Sequence, residues 1–217
     1  MPHPILPQSF YARPARELAP ALLGQLLVRQ IDGERLCGRI VETEAYCDSD
    51  EPDLACHGTR NGGKPTSRTA VMFGPPGHAY VYFTYGNHWM FNIVCGREGQ
   101  ANAVLIRAIE PISGLAQMAQ RRGKALHPHS VLSPDSSHLL LTNGPGKLAQ
   151  ALAINKTLNG TNLFPPGEVI WLEEDSPVPQ TAISTGPRVG LGKTPEPWFS
   201  LPWRYWLTGN PFVSAYR

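Results

Sequence analysis

The sequence has few cysteines and no long apolar run, which narrows the kind of protein it encodes. Four cysteines in 217 residues are too few for a disulfide scaffold, and their spacings match no paired zinc-binding pattern. No apolar run approaches the ~18 residues that a membrane-spanning helix needs. The first residues contain neither the basic flank nor the apolar block of a secretion signal. We therefore expect a reduced, cytoplasmic protein without a bound metal and without a membrane partner.

Long helices are excluded by the abundance of residues that interrupt them. The chain contains 21 glycines and 22 prolines, which together make up about a fifth of all residues. Such a composition rules out coiled coils and favours short strands joined by many turns. Hydrophobic residues make up 41% of the chain, which is enough apolar material for a core. Length and composition together predict one domain over residues 1–217, with an irregular N-terminal segment at residues 1–13.

The net charge of +2 conceals an uneven distribution along the chain. Residues 1–53 contain five Lys/Arg and nine Asp/Glu, whereas residues 54–150 contain nine Lys/Arg and three Asp/Glu. The basic middle third also contains six of the seven histidines. A basic segment of this kind suits contact with a phosphate backbone, although an ordinary solvated surface would have the same composition.

Tight turns alternate with short runs of strand-forming residues. Residues 25–31 and 35–46 flank Asp32-Gly33, and residues 78–85 and 89–95 flank Gly86-Asn87, so both pairs are predicted hairpins. Further strands are predicted at residues 101–109 (ended by Pro111), 168–173 and 181–189. Short helices are predicted at residues 14–24, 115–122 and 147–155, and an irregular loop at residues 47–76. Because neighbouring strands joined by tight turns pair antiparallel, we predict an α+β fold around a mostly antiparallel sheet.

Two carboxylates lie on one predicted strand. Alternate side chains of residues 36–46 share a face, so Ile40, Glu42, Glu44 and Tyr46 are expected to project together. Carboxylates that are buried without partners must protonate, pair with a cation or take part in chemistry. A strand end exposed to solvent would explain the same pattern, and this segment alone leaves both explanations open.

Tyrosines are concentrated on the strand that follows. His78, Tyr80 and Tyr82 share one face of residues 78–85, and Tyr85 falls at the turn, where a side chain can protrude. Ordinary packing of strand-forming residues explains such a cluster. Alternatively, the tyrosines form a stacking surface for a flat ring, with a protruding wedge, as in proteins that unstack nucleic acid bases.

Several segments, in order along the chain, are similar to the alkyladenine (3-methyladenine) DNA glycosylase family. They are GRIVETEAY (38–46), ACH (55–57), MF (72–73), PGHAYVYFTYG (76–86), Asn92, VLIRAIEP (104–111), NGPGKL (143–148), QALAIN (150–155) and RVG (188–190). The chain lacks the extended N-terminus of vertebrate members, so it most resembles the bacterial type. One such motif would be weak support, but so many in order are specific.

The resemblance implies a compact single domain built around a curved, mostly antiparallel sheet with flanking helices. It also implies excision of damaged purines from duplex DNA by hydrolysis of the N-glycosidic bond. The expected substrates are 3-methyladenine and 7-methylguanine, with hypoxanthine and ethenoadenine for some members. The expected partner is double-stranded DNA containing damaged purines, bound by a monomer at the bacterial nucleoid. No cofactor and no strand-nicking activity are expected.

The resemblance also assigns roles to individual residues. Glu44 would be the general base, with Arg107 beside it holding the attacking water. Tyr46, His57 and Tyr82 would surround the extruded base, with Asn92 at the floor of the pocket disfavouring guanine. Tyr85 would fill the gap left in the base stack. Further contacts to DNA are expected from Met72, Tyr80, Leu105, Gly146 and Lys147.

The residues leave several alternatives open. Glu42 is a rival to Glu44, although its place in the motif does not match the base. The turn at residues 144–147 either offers N–H groups and a lysine to a phosphate or only caps a helix. Trp198, Trp203 and Trp206 are expected to pack in or beside the core.

The electron-rich rings of the pocket are expected to favour N-methylated purines, which carry positive charge. A non-catalytic binder of damaged DNA, or a hydrolase of free nucleosides, would use similar residues.

Overall fold

Eight strands of one antiparallel sheet form the framework of the protein. The structure, a computed structural model, describes residues 3–47, 52–84, 86–125 and 136–215. The strands are β1 (Leu26–Ile31), β2 (Glu34–Tyr46), β3 (Ala79–Thr84), β4 (His88–Val94), β5 (Ala103–Ser113), β6 (Ile170–Glu173), β7 (Ile183–Gly186) and β8 (Arg204–Leu207). The main order is β3-β4-β5-β2-β1-β6, and β8 pairs with both β2 and β7. All pairings are antiparallel and the sheet is open, so the predicted α+β fold is confirmed.

Strand β2 is central because it pairs along its whole length. One edge bonds to β5, while the other edge bonds first to β1 and then to β8. The β1–β2 turn places both Asp32 and Gly33 at positive φ, +53° and +79°, as a tight two-residue hairpin turn requires. Both predicted hairpins are therefore present in the fold.

A β-bulge near Val41 reverses the alternation of side chains in β2. The register with β5 shifts here, because Ile40 pairs with Ile109 whereas Glu42 pairs with Ala108. Ile40 packs in the main hydrophobic core, on the side opposite to the two glutamates and the tyrosine that follow it. The expectation that all four side chains share a face is wrong for Ile40, since the bulge inserts one residue into the strand.

The helices are short and several differ from the expected bounds. They are α1 (Gln8–Tyr11), α2 (Ala15–Ala21), α3 (Leu115–Arg121), α4 (Ser136–Thr142) and α5 (Pro145–Ala151). Helix α1 and a bridge from Ile5 to Glu173 contradict the irregular N-terminal segment. Helix α5 ends early because Ala153 has a φ of +50°, which no helix accommodates. Among the described residues, no helix is long and apolar enough to cross a membrane.

Three further expectations are wrong in detail. Residues 47–76 contain two 3₁₀ segments, His57–Gly63 and Ala70–Phe73, rather than only irregular loop. Strand β5 continues through Pro111, which pairs with Gly38 next to a register shift, where a missing N–H is tolerated. The late strand expected at residues 181–189 ends at Gly186, and strand β8 was not expected at all.

Two hydrophobic clusters lie on either side of the tyrosine strand. The main core receives Val81 of β3 and Leu148 of α5, and Trp203 packs against it. A smaller cluster contains Tyr80 and Met72. The alternation predicted for β3 is therefore confirmed, and the tyrosine face of the strand packs away from the main core.

Candidate active site

A cavity of about 530 Å³ opens on the tyrosine side of the sheet. Its walls come from the β3–β4 hairpin, from the C-terminal end of β2 and the facing part of β5, and from residues 189–194. Residues between Ala55 and Met72 and Pro145 at the start of α5 contribute the remaining wall. This volume is within the range typical of small-molecule pockets.

Glu44 lies immediately behind the wall of this cavity. Its Oε2 accepts a hydrogen bond of 2.8 Å from the Tyr46 hydroxyl, and its Oε1 accepts one of 2.7 Å from the backbone N–H of Val189. Arg107 Nη1 is 3.1 Å from the same Oε1. Tyr46, Val189 and Arg107 all line the cavity, whereas Glu44 itself is 0% exposed. The carboxylate is therefore one side chain away from the open space.

Arg107 is directed toward Glu44 by an irregularity in β5. The pairing of β2 with β5 skips Arg107, because Glu42 pairs with Ala108 and Thr43 with Ile106. Burial lowers the pKa of the guanidinium, but the charges of Glu44 and Glu42 outweigh this effect and raise it. Arg107 is therefore a permanent cation beside the carboxylate of Glu44.

The carboxylate of Glu42 accepts four hydrogen bonds. Its Oε1 accepts from Arg107 Nε (2.8 Å), Arg204 Nε (2.7 Å) and Ser214 Oγ (2.8 Å), and its Oε2 accepts from the backbone N–H of Ser214 (2.7 Å). Burial alone would raise the pKa of Glu42, but the two arginines and Ser214 outweigh it and lower the pKa. Of these donors, Arg107 lines the cavity and Arg204 and Ser214 do not, whereas Tyr46, Val189 and Arg107 around Glu44 all line it.

The aromatic wall of the cavity is a contacting cluster of three rings. The ring of Tyr82 lies 4.6 Å from that of His57 and 5.3 Å from that of Tyr80, measured between centroids. His57 Nδ1 and the Tyr80 hydroxyl are 3.0 Å apart. Burial, followed by the charges of Arg60 and Arg68, lowers the pKa of His57 to about 4. His57 is therefore a neutral imidazole at pH 7, which can donate or accept a hydrogen bond but is not a general acid there.

Two arginines already lie against the tyrosine rings of the cavity. The guanidinium of Arg68 is 5.0 Å from the centroid of the Tyr82 ring, and that of Arg188 is 4.7 Å from the centroid of the Tyr46 ring. Both distances are within the range of cation–π attraction. A cationic purine that stacked on Tyr82 or Tyr46 would therefore compete with an arginine of the protein for the face of the ring.

A buried ion pair with Asp53 holds the start of the loop of residues 188–194. Arg188 donates to both carboxylate oxygens of Asp53, at 2.5 and 2.9 Å, and also to the backbone carbonyl of Ala45. Both charged side chains are 0% exposed. This pair fixes the start of the loop whose next residue, Val189, donates to Glu44.

Comparison with known proteins finds relatives along nearly the whole chain. A profile of the family described as methylpurine-DNA glycosylase matches residues 9–211. The chain is 47% identical over 209 residues to a protein of Chlorobaculum parvum, covering 96% of this chain and 90% of that protein. It is 46% identical over 215 residues to a protein of Chlorobium phaeobacteroides, covering 99% and 98%. Both relatives have the provisional name 3-methyladenine DNA glycosylase.

The chain belongs to the methylpurine-DNA glycosylase family. The resemblance inferred from its motifs is thereby confirmed, and the protein is an enzyme that hydrolyses N-glycosyl bonds in DNA repair. Its partner is DNA.

Most of the residues singled out in the sequence of this glycosylase meet at the one cavity. Those that line it directly are Tyr46, His57, Met72, Tyr80, Tyr82, Asn92, Leu105 and Arg107. Met72, Tyr80 and Leu105, expected to contact DNA, are almost completely buried and form the inner wall. Asn92 is 3% exposed and its Nδ2 donates to the Tyr80 carbonyl.

Three of the expected DNA contacts do not line this cavity. Gly146 borders a separate space of about 250 Å³ beside His88 and Trp89. Lys147 donates from Nζ to Asn143 Oδ1 at 2.8 Å. Tyr85 lies outside the described residues.

Sequence reasoning overlooked several residues of the glycosylase site. The loop containing Val189, Gly190 and Gly192 received no role, although its glycine pattern was visible in the sequence. Arg60 and Arg68 were expected only as part of a long loop, and nothing in their spacing indicates that they face the cavity. Asp53 and Arg188 are 135 positions apart, so no local pattern predicts their ion pair.

Proposed function

We propose that this glycosylase flips alkylated or deaminated purines out of duplex DNA and hydrolyses their N-glycosidic bond with a water activated by Glu44. The substrates would be 3-methyladenine, 7-methylguanine and, as neutral lesions, hypoxanthine and ethenoadenine. The product would be an abasic site, without strand cleavage. The proposal rests on one observation: a carboxylate beside a permanent guanidinium lies directly behind a cavity walled by tyrosine and histidine rings.

Base flipping explains why the cavity is aromatic. A purine inside a duplex is sealed by stacking and pairing, so an enzyme must extrude it, at a cost of a few kcal/mol. Stacking on a protein ring recovers roughly 1–3 kcal/mol per contact. Tyr46, His57 and Tyr82 could together offset the cost of extrusion, and Tyr85 would fill the vacated position in the stack. Asn92, deep in the cavity, would disfavour unmodified guanine.

Glu44 is the better candidate for the base because all its contacting groups, Tyr46, Val189 and Arg107, line the cavity. Two of the groups that contact Glu42, Arg204 and Ser214, do not line it. The water oxygen would bond to the sugar C1′ while Glu44 accepts a water proton. The bond from C1′ to the purine nitrogen would break, and its electron pair would leave with the purine. The negative charge of Glu44 would also stabilise the oxocarbenium character of the transition state.

The covered position of Glu44 places a requirement on this mechanism. The Tyr46 hydroxyl occupies Oε2, and burial together with the charge of Glu44 raises its pKa well above the ordinary value, so it remains a donor. A water that reaches Glu44 must displace this hydroxyl or enter beside the loop of residues 188–194. Insertion of a purine against Tyr46 is the event that would move the ring.

The cellular setting follows from the substrate. We propose that the glycosylase acts as a monomer on damaged double-stranded DNA, in the cytoplasm at the nucleoid. The flipped nucleotide needs one cavity only, and that cavity is formed within a single chain.

Excision from duplex DNA containing one hypoxanthine tests the proposed function. After incubation and alkali, the wild-type protein is expected to yield cleaved strands. Glu44→Gln is expected to bind the duplex but to lower the single-turnover rate by about 100-fold or more, since general-base catalysis contributes about that much. Glu173→Gln removes another buried glutamate, on β6, and is expected to retain the wild-type rate. An undiminished rate in Glu44→Gln would disprove the mechanism, and binding without any excision by the wild type would favour a damage-binding protein.

A further inference from the structure

The carboxylate of Glu42 is buried beside the site, but the proposed reaction does not use it. A charged group at 0% exposure is costly unless its partners compensate it, and here every partner is in place. Two of these partners, Arg107 and Ser214, also contact each other, because Arg107 Nη2 lies 3.2 Å from Ser214 Oγ. The arrangement therefore centres on the guanidinium of Arg107.

Each nitrogen of that guanidinium has its own acceptor. Nε faces Glu42, Nη2 faces Ser214 and Nη1 faces Glu44. Because a guanidinium is planar and rigid, holding two of its nitrogens in place also fixes the direction of the third. The contacts with Glu42 and Ser214 thus determine where Nη1 points.

Arg204 balances the charge of this group. It donates from Nε to Glu42 at 2.7 Å, and it lies on β8, opposite Glu44. With Arg204 present, two carboxylates face two guanidinium groups. Arg204 therefore compensates the charge of Glu42, and Arg107 compensates that of Glu44.

We propose that Glu42, with Ser214, is a positioning residue that aims Arg107 at Glu44 and the attacking water. This inference rests on the proposed function of Glu44. It assigns a role to the C-terminal segment as well, because Ser214 is 172 positions from Glu42 and provides both a backbone and a hydroxyl donor. The segment beyond β8 then completes the active site rather than only covering the core.

A double-mutant cycle on the single-turnover excision of hypoxanthine tests this proposal. Glu42→Gln keeps the shape of the side chain but removes its charge. We expect this change to lower the excision rate about 10- to 100-fold, while the affinity for duplex DNA stays nearly constant. Loss of a residue that orients a metal ligand in other enzymes has an effect of this size. Arg107→Lys retains a charge but lacks the planar fork. In that background Glu42→Gln should change the rate by less than about threefold, because no fork is left to aim.

The outcomes separate positioning from a merely structural role. If Glu42→Gln lowers the rate by the same factor in both backgrounds, or does not lower it in the wild type, the proposal is overturned. Ser214→Ala, which removes only a hydroxyl, is measured in the same two backgrounds. If Glu42→Gln does not fold, the rates of Ser214→Ala test the proposal in its place. Glu173→Gln serves as the matched buried control, with no expected change in rate. An inactive wild type, or an active Glu44→Gln, would instead refute the proposed function on which this inference depends.

Discussion

At the scale of single residues, we expect the arginine over the Tyr82 ring to influence which lesions are excised. Arg68 is an exposed side chain at the cavity mouth, and it also approaches the Phe83 carbonyl at 3.4 Å. Its guanidinium occupies the ring face where a cationic purine would gain attraction. A neutral purine competes with Arg68 only for space, whereas a methylated cation is repelled as well.

Replacement of Arg68 by glutamine should therefore shift preference toward cationic lesions. The ratio of the 7-methylguanine rate to the hypoxanthine rate is expected to rise about 2- to 5-fold, which corresponds to about 0.5–1 kcal/mol for an exposed cation–π contact. Single-turnover rates on two matched duplexes provide the measurement. Arg60→Gln is the control, since Arg60 also lines the cavity but does not lie over a ring in the structure. An unchanged or lowered ratio in Arg68→Gln would contradict the argument.

At the scale of elements, the site depends on irregular backbone in two adjacent strands and on a tied-down loop. The bulge in β2 turns both glutamates away from the main core, and the register shift opposite it releases Arg107 from regular pairing. Arg188, at the start of the loop of residues 188–194, donates to the Ala45 carbonyl of β2 and forms an ion pair with Asp53 beyond that strand. Because the loop donates to Glu44, the stability of the pair is coupled to the geometry of the site.

Breaking this pair should be costly. Asp53→Asn leaves the Arg188 charge buried without its counterion, so the free energy of unfolding is expected to fall by about 3 to 5 kcal/mol. Urea denaturation followed by tryptophan fluorescence measures the loss. Asp32→Asn makes the same chemical change in the β1–β2 turn, where the carboxylate is mostly exposed and 4.0 Å from Arg121. That control should cost under about 0.5 kcal/mol, and a similarly small loss in Asp53→Asn would show that the loop is held by other contacts.

At the scale of the whole molecule, charge is separated along the chain in a way that suits DNA. The basic residues 54–150 contain the β3–β4 hairpin and most of the cavity wall, including Arg60 and Arg68. Neutralisation of phosphates by such residues releases counterions, so affinity for duplex DNA should depend on salt.

The salt dependence can be stated as a slope. If three or more phosphates are contacted, the logarithm of the association constant should fall by about 3 or more per tenfold rise in salt. Fluorescence anisotropy with Glu44→Gln and a hypoxanthine duplex measures it without turnover. Lys147→Ala should reduce the slope by about 1 if the turn before α5 binds a phosphate. An unchanged slope would leave that turn as a helix start only, and a slope near zero would make the basic surface an ordinary solvated one.

The sequence by itself determined the two hairpins, the antiparallel sheet and the residue types of the cavity, because turn chemistry and strand alternation act over a few residues. It also indicated the family, through short motifs whose order is specific. It left Glu42 and Glu44 as rivals on one expected face. Only the tertiary structure shows how differently the two are surrounded, since the groups that contact Glu42 come from positions 65 to 172 residues away. The alternation of residues along the strand could not predict the bulge that places both carboxylates beside Arg107. One inserted residue reverses the alternation, and only the pairing of strands distant in sequence stabilises it.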